Sequence, residues 1–199
     1  MKTVTKRTER GFTLIEALVV LILIGIVSAV AAPKIMATTT SGQVSKYMDI
    51  ADGGAAAWQA LTMRASVTTA VTSNPIPATS NTVEDVLFVG GTATVASAYQ
   101  SAYTNSKIQP MNQHVVKSGS NFIVTGTSNV QVAVSGGGNS PMVFTFSNVP
   151  EEAVLEAVDR VSPGTTLTKD GANKTVGHLG YNCAAAASTC TFTISKRVS

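Results

Sequence analysis

Residues 10–33, RGFTLIEALVVLILIGIVSAVAAP, form an apolar run with one carboxylate, Glu16, set near its start. From Phe12 to Ala32 there are about 21 residues, which at about 1.5 Å of rise each give a helix of roughly 30 Å, the thickness of a bilayer's hydrocarbon core. A buried core helix is rarely apolar on every face for this length in a chain of 199 residues. The run is therefore read as a membrane-spanning segment, and any water-exposed domain must be built from the residues after it.

A secretory signal peptide is the main competing reading. Lys2, Lys6, Arg7 and Arg10 form a basic leader, and Ala29-Val30-Ala31 fits a small-residue cleavage site. Glu16 argues against it: a charged side chain inside an apolar helix costs about 2.5–3.5 kcal/mol at the centre and less near the end. A disposable signal gains nothing from that cost, so the carboxylate points to a function of the helix itself.

The run Gly11-Phe12-Thr13-Leu14-Ile15-Glu16, after a short basic leader and before the apolar stretch to Pro33, closely resembles the N-terminus of type IV prepilins and the related pseudopilins. The resemblance implies that a membrane-embedded prepilin peptidase cuts between Gly11 and Phe12 and methylates the new amine, leaving N-methylphenylalanine at Phe12 and Glu16 as the fifth mature residue. It implies an α+β type IV pilin fold, a long N-terminal helical spine packed on an antiparallel β-sheet head. The expected parts are a leader over residues 1–11, a transmembrane and assembly helix over 12–33, its amphipathic continuation over 34–65 and the head over 66–199.

Physical chemistry gives Glu16 a task in such a family. Cleavage exposes an ammonium at Phe12, and a carboxylate one helical turn along on a neighbouring chain neutralises it in a low-dielectric filament core. Gly25 and Pro33 match positions that, in the family, bracket a stretch of helix that loses its regular hydrogen bonds on assembly. Proline removes a backbone donor and glycine has weak helix propensity, so the segment between them is the cheapest part of the helix to extend.

Of the 14 Lys/Arg and 11 Asp/Glu, four cations and one anion precede Phe12, so the formal +3 belongs wholly to the leader. The sequence pI of 9.0 is then a topology signal and no sign of nucleic-acid binding. After Pro33 the apolar positions Val44, Met48, Ala51, Ala55, Trp58, Leu61 and Ala65 recur at three- and four-residue steps, one face of a helix that needs a sheet to cover it. Gly53-Gly54 falls midway and is expected to mark a bend. Trp58 is expected as a core anchor.

From Ser66 the composition shifts to Thr, Ser, Ala, Asn and Val, and Asn74-Pro75-Ile76-Pro77 breaks any regular element, so a long surface connection is expected, with short elements over 83–89 and 96–103. Residues 121–125, 130–134 and 142–146 alternate in strand fashion and predict an antiparallel meander with one buried face. Gly136-Gly137-Gly138 reads as a hairpin turn, since a phosphate cradle needs a strand, a Lys and a helix around it. Residues 150–161 predict a helix with Pro150 at its first turn, Glu151 and Glu152 at the positive end of its dipole and Arg160 at the other. The stretch FTFSNVPEEAVLEAV also resembles, more faintly, the strand and helix of some type IVb pilins, although Val154 stands about where those carry a cysteine.

Cys183 and Cys190 flank a small Ala/Ser-rich loop that leads into a terminal strand over 191–195; in an exported domain the expected state is a disulfide, and the family resemblance points the same way. His114 and His178 are far apart with no ligand spacing, so neither a metal nor a cofactor is expected. No GxSxG or HExxH pattern occurs, and the sequence carries no catalytic constellation. The resemblance implies as partners other pilin copies, prepilin peptidase, the inner-membrane pilus assembly machinery and the membrane itself, with the head in the periplasm before assembly and the filament extracellular after it. A pseudopilin of a type II secretion system is the alternative within the family; its major forms commonly hold calcium where this chain has its cysteine pair. A secreted monomer with an ordinary signal peptide is the alternative outside it.

Overall fold

The computed structural model describes residues 14–197 apart from 68, 138 and 139, with side chains except those of 29–38 and 72. The chain divides into two compact units, residues 1–39 and residues 40–199. Helix α1, Leu14–Ala65, supplies all the described structure of the first unit and opens the second.

In the second unit α1 buries Val44, Tyr47, Ile50, Ala51, Ala55, Trp58 and Leu61, spaced three and four apart as one stripe. The helix stops where Ser66 turns left-handed at φ 54° and the Val67 N–H returns to the Thr62 carbonyl at 3.0 Å. The Gly53-Gly54 pair does not break it. A Cβ on Gly54 would lie 2.7 and 2.8 Å from ring atoms of Phe144, so the missing side chain is what lets helix and sheet approach. The bend expected there is corrected to a close-packing site.

The stripe is covered by a seven-stranded antiparallel sheet of order β1-β2-β3-β4-β7-β6-β5. Its strands are β1 (Val115–Ser118), β2 (Asn121–Val124), β3 (Gln131–Gly136), β4 (Met142–Pro150), β5 (Lys174–Val176), β6 (Leu179–Cys183) and β7 (Thr189–Lys196). The expected meander holds only through β4. Helix α3, Glu151–Val161, follows β4, the chain re-enters at the far edge as β5 and β6, and β7 then slots between β6 and β4. Register shifts between Phe146 and Val149 on β4, where Asn148 takes φ 62°, a bulge that realigns the end of the strand with Cys190 and Thr189. The α+β fold, a helix packed on an antiparallel sheet, is the architecture observed.

Inward side chains of the central strands, Phe144, Phe146, Phe192 and Ile194, are fully buried against the stripe. Tyr47 lies 5.0 Å from Phe146 and 6.5 Å from Phe192, ring to ring, in the range of favourable tilted aromatic pairs. The segment between α1 and β1 is less open than its composition implied: it buries Val71, Ile76, Val83, Val86, Leu87 and Phe88 through short 3-10 turns, a π-helical turn at Asp85–Val89 and helix α2, Gln100–Ser106. Buried Asp85 fixes it in place, accepting from Lys117 Nζ at 2.6 Å and from the Thr82 N–H at 3.0 Å.

Substitutions along α1 test the packing of helix on sheet. Gly54→Ala forces a methyl group into the Phe144 ring and is expected to cost about 1–3 kcal/mol by overpacking. Gly42→Ala, with nothing within 4 Å of the new atom, is expected to stabilise by about 0.5–1 kcal/mol. Urea unfolding of the detergent-solubilised chain reads both, and equal shifts would contradict the packing assigned to Gly54. A second test concerns Tyr47, whose hydroxyl is buried with no hydrogen-bond partner among the described residues and whose pKa burial pushes from 10.0 to about 12. Because the folded value lies above the unfolded one, this group's stabilisation is complete below pH 10 and is lost, on the order of 2–3 kcal/mol, as pH rises toward 12. Tyr47→Phe should therefore be neutral to mildly stabilising at pH 7 and should flatten the alkaline limb of a pH–stability curve.

Candidate assembly segment

Side chains are described for Leu14 to Ser28 of the first unit, and there α1 is apolar on every face and exposed all round. Leu14 is 85% exposed, Leu21 69% and Val27 64%, while even the least exposed of its large apolar side chains, Val20, keeps 46%. Fully covering such aliphatic side chains stabilises by about 1.5–3 kcal/mol each, so this surface represents on the order of tens of kcal/mol awaiting a nonaqueous partner. Apolar surface of this extent marks contact with protein or lipid. Glu16 lies in the first turn, exposed, at the positive end of the helix dipole, where a carboxylate is favoured.

Gly11 and Phe12, the expected cleavage and methylation positions, lie outside the described residues. Gly25 and Pro33 both fall within α1, which runs unbroken through them. Among the described residues no helix is long and apolar enough to cross a membrane. The described side chains from 14 to 28 account for about 22 Å of rise, short of the roughly 30 Å a bilayer core needs.

Where α1 enters the second unit it is tied down by three polar contacts. Arg160 of α3 donates through Nη2 to the Ser41 hydroxyl at 2.6 Å and carbonyl at 3.2 Å. Lys46 Nζ donates to the Thr125 carbonyl at 2.7 Å, and Lys196 Nζ pairs with Asp52 at 2.5 Å. Each is partly exposed and worth little alone, but together they hold the helix on two sides, Ser41 and Asp52 lying on one and Lys46 on another. Arg160 was legible only as a dipole partner; its reach across 119 positions leaves no local pattern.

Cys183 and Cys190 face each other across β6 and β7 and are joined by a disulfide, with Cα atoms 4.5 Å apart. The neighbouring loop is closed by side chains. Asn182 Nδ2 donates to the Gly171 carbonyl and to Asn173 Oδ1, both at 2.9 Å. Asp170 pairs with Lys174 at 2.8 Å, a bond that lowers its pKa, with the Ala172 N–H a second donor. Among the described residues no group of three or more His, Cys, Asp or Glu side chains is placed to hold a metal ion. His114 lines a cavity of about 440 Å³ with Gly53, Ala57, Lys107, Pro110 and Met111, and His178 is not among its lining residues.

The prokaryotic N-terminal methylation motif matches residues 6–32, the stretch that holds Lys6, Arg7, Arg10, Glu16 and the exposed apolar residues 14–28. That motif is the N-terminal signal of type IV pilins and pseudopilins, and it supports a precursor of one of these two kinds. No curated protein and no solved structure matches the chain.

The disulfide closes a short loop, so removing it by Cys183→Ser with Cys190→Ser should cost about 2–3 kcal/mol from loop-closure entropy. Thermal unfolding of the double variant against the native chain under non-reducing conditions measures this, and an unchanged midpoint would mean the β6–β7 ladder holds the end by itself.

Proposed function

We propose that this chain is a type IV pilin subunit whose activity is assembly. The observation that carries the reading is the conjunction, within one segment, of the methylation motif over residues 6–32 and an all-round apolar helix bearing Glu16. In this reading prepilin peptidase cuts between Gly11 and Phe12 and methylates Phe12. Residues 12–33 hold the chain in the inner membrane with its head in the periplasm, and the assembly machinery transfers the helix from lipid to the core of an extracellular filament. That transfer exchanges one apolar environment for another, so it needs little net hydrophobic free energy and is steered by the charges.

The steering group is Glu16. In a filament core its carboxylate neutralises the N-methylammonium of Phe12 on a neighbouring copy. The pair itself contributes little net stability, but removing one partner strands a buried charge at a cost of roughly 3–5 kcal/mol. Gly25 and Pro33 bracket the stretch of α1 that extends most cheaply when helices must adjust to their neighbours. Pseudopilins share the motif. The cysteine pair at the β6–β7 end, beside a loop already closed by Asn182 and by Lys174 on Asp170, supports the pilin assignment over theirs.

Mass spectrometry of the mature N-terminus, on sheared surface material and on membranes, tests the reading. Native protein should begin at N-methylated Phe12 in sheared fibres, and Glu16→Ala should be processed yet retained in membranes. Soluble protein starting just after Ala31 would replace this reading with a secreted monomer, and processed protein confined to the cell envelope would replace it with a pseudopilin.

A further inference from the structure

The cavity of about 440 Å³ beside α1 is lined on one side by Gly53, Ala57 and Ala60 and on the other by the segment that leads from α2 into β1. Two of its lining residues, Met111 and His114, belong to a single helical turn. The His114 N–H donates to the Met111 carbonyl at 2.9 Å, and the Val115 N–H donates to the same oxygen at 3.0 Å. In such a turn residues three apart stand over one another on one face, so the thioether and the imidazole share one wall of the cavity.

Gly53 shapes the place. A Cβ there would lie 2.9 Å from the Met111 methyl carbon and 3.5 Å from its sulfur, so the thioether rests on bare backbone of α1. Glycine costs a helix about 1 kcal/mol relative to alanine, and Gly53 is not among the glycines that need a positive φ. What it makes room for is the end of the Met111 side chain. Met111 is only partly buried against the core, where leucine would pack as well. The His114 imidazole is half-buried and takes part in no hydrogen bond or ion pair among the described residues, while the His114 carbonyl accepts from the Thr125 N–H.

A thioether beside a free imidazole is a soft, uncharged donor pair. Thioether sulfur selects Cu(I) among the biological metals, and imidazole suits copper too. Other ions fit less well. Calcium and magnesium take oxygen ligands with carboxylates prominent among them, and no Asp or Glu lines the cavity. A structural zinc site is closed by four nitrogen, sulfur or oxygen ligands, and among the described residues no group of three or more His, Cys, Asp or Glu is placed to hold a metal. Lys107 also lines the cavity, and its ammonium repels a doubly charged ion more strongly than a singly charged one.

We propose that Met111 and His114 form a Cu(I)-binding site in this cavity, with the carboxamides of Gln109 and Gln113 in the same wall available to complete it. The site lies wholly within the second unit and does not depend on the pilin reading. Its trace in the sequence is Met-x-x-His, a spacing that a search for paired histidines passes over.

NMR of the methionine methyl groups, isotopically labelled in the full-length detergent-solubilised chain, tests this. Cu(I) is added under nitrogen with ascorbate, which keeps the copper reduced and leaves the Cys183–Cys190 disulfide intact. The Met111 methyl resonance, assigned by its loss in Met111→Leu, should move and reach its limit at one copper per chain, while those of Met63 and Met142 stay in place. Competition with ferrozine then compares variants, with thermal unfolding as a check on the fold. Met111→Leu and His114→Gln should each weaken binding at least about tenfold, and Met63→Leu and His178→Gln should leave it unchanged. A Met111 resonance that does not move, or several methionines that move together, would overturn the proposal. So would a Met111→Leu or His114→Gln chain that binds as tightly as the native one. The His114 ring makes no hydrogen bond to lose, so its variant decides the matter even if Met111→Leu disturbs the packing.

Discussion

The fold depends on how closely α1 can lie against the sheet. That distance is set at Gly54, where the Phe144 ring occupies the space a side chain would take, and it is propagated by Tyr47, Ile50 and Trp58 on one side and Phe146 and Phe192 on the other. Interiors packed at this density do not yield gradually. A helix standing off by a methyl group would loosen every aromatic contact in the row, and the polar ties from Arg160, Lys46 and Lys196 would lose their geometry with it. Those ties are individually minor; their value lies in fixing the rotation of a helix whose stripe is already buried.

One helix therefore satisfies two different requirements. From Val44 to Leu61 it is amphipathic and its apolar stripe is covered by its own chain. From Leu14 to Val27 it is apolar all round and exposed all round. Intrinsic propensity does not distinguish the two stretches; what differs is the nature of the surroundings each demands. The second unit is stable as a folded object because its stripe has a sheet. The first presents a surface whose burial requires lipid or other chains, which is why the motif, the apolar helix and Glu16 make sense only together.

Much of this was legible in the sequence wherever an element obeys its own periodicity. The stripe of α1, strands β2, β3 and β7 and helix α3 all appear as 3.6- or 2-residue patterns close to their observed bounds, while β4, expected to Phe146, runs on past its bulge to Pro150. The strands without such a signal are those whose inward positions break the hydrophobic rule. In β1 the inward Lys117 sits on Asp85, and in β5 the inward Lys174 sits on Asp170, so neither strand alternates in hydropathy. In β6, Gly180 and Asn182 lower the strand signal, yet Gly180 is needed because Thr193 leans over it. The order of the sheet was not legible either, since placing β7 beside β4 depends on α3 carrying the chain to the far edge. The N-terminal segment was the reverse case: a short motif of high specificity announced it, while the contacts that seat the continuation of α1, such as Arg160 on Ser41, join residues too distant to leave a local pattern.

Charge is distributed unevenly along the chain. The leader takes the net positive charge, leaving ten basic and ten acidic residues after Gly11. Within the sheet the lysines turn inward and are paired there, Lys117 with Asp85, Lys174 with Asp170 and Lys196 with Asp52. Long-range repulsion between identical molecules grows with the square of their net charge and is screened only beyond about a Debye length. In the pilin reading a chain cut after Gly11 is neutral overall, and the cover of the apolar residues 14–28 is then decided by short-range contacts. In that reading the segment gains its specificity from Glu16, because no other residue from 14 to 28 is charged.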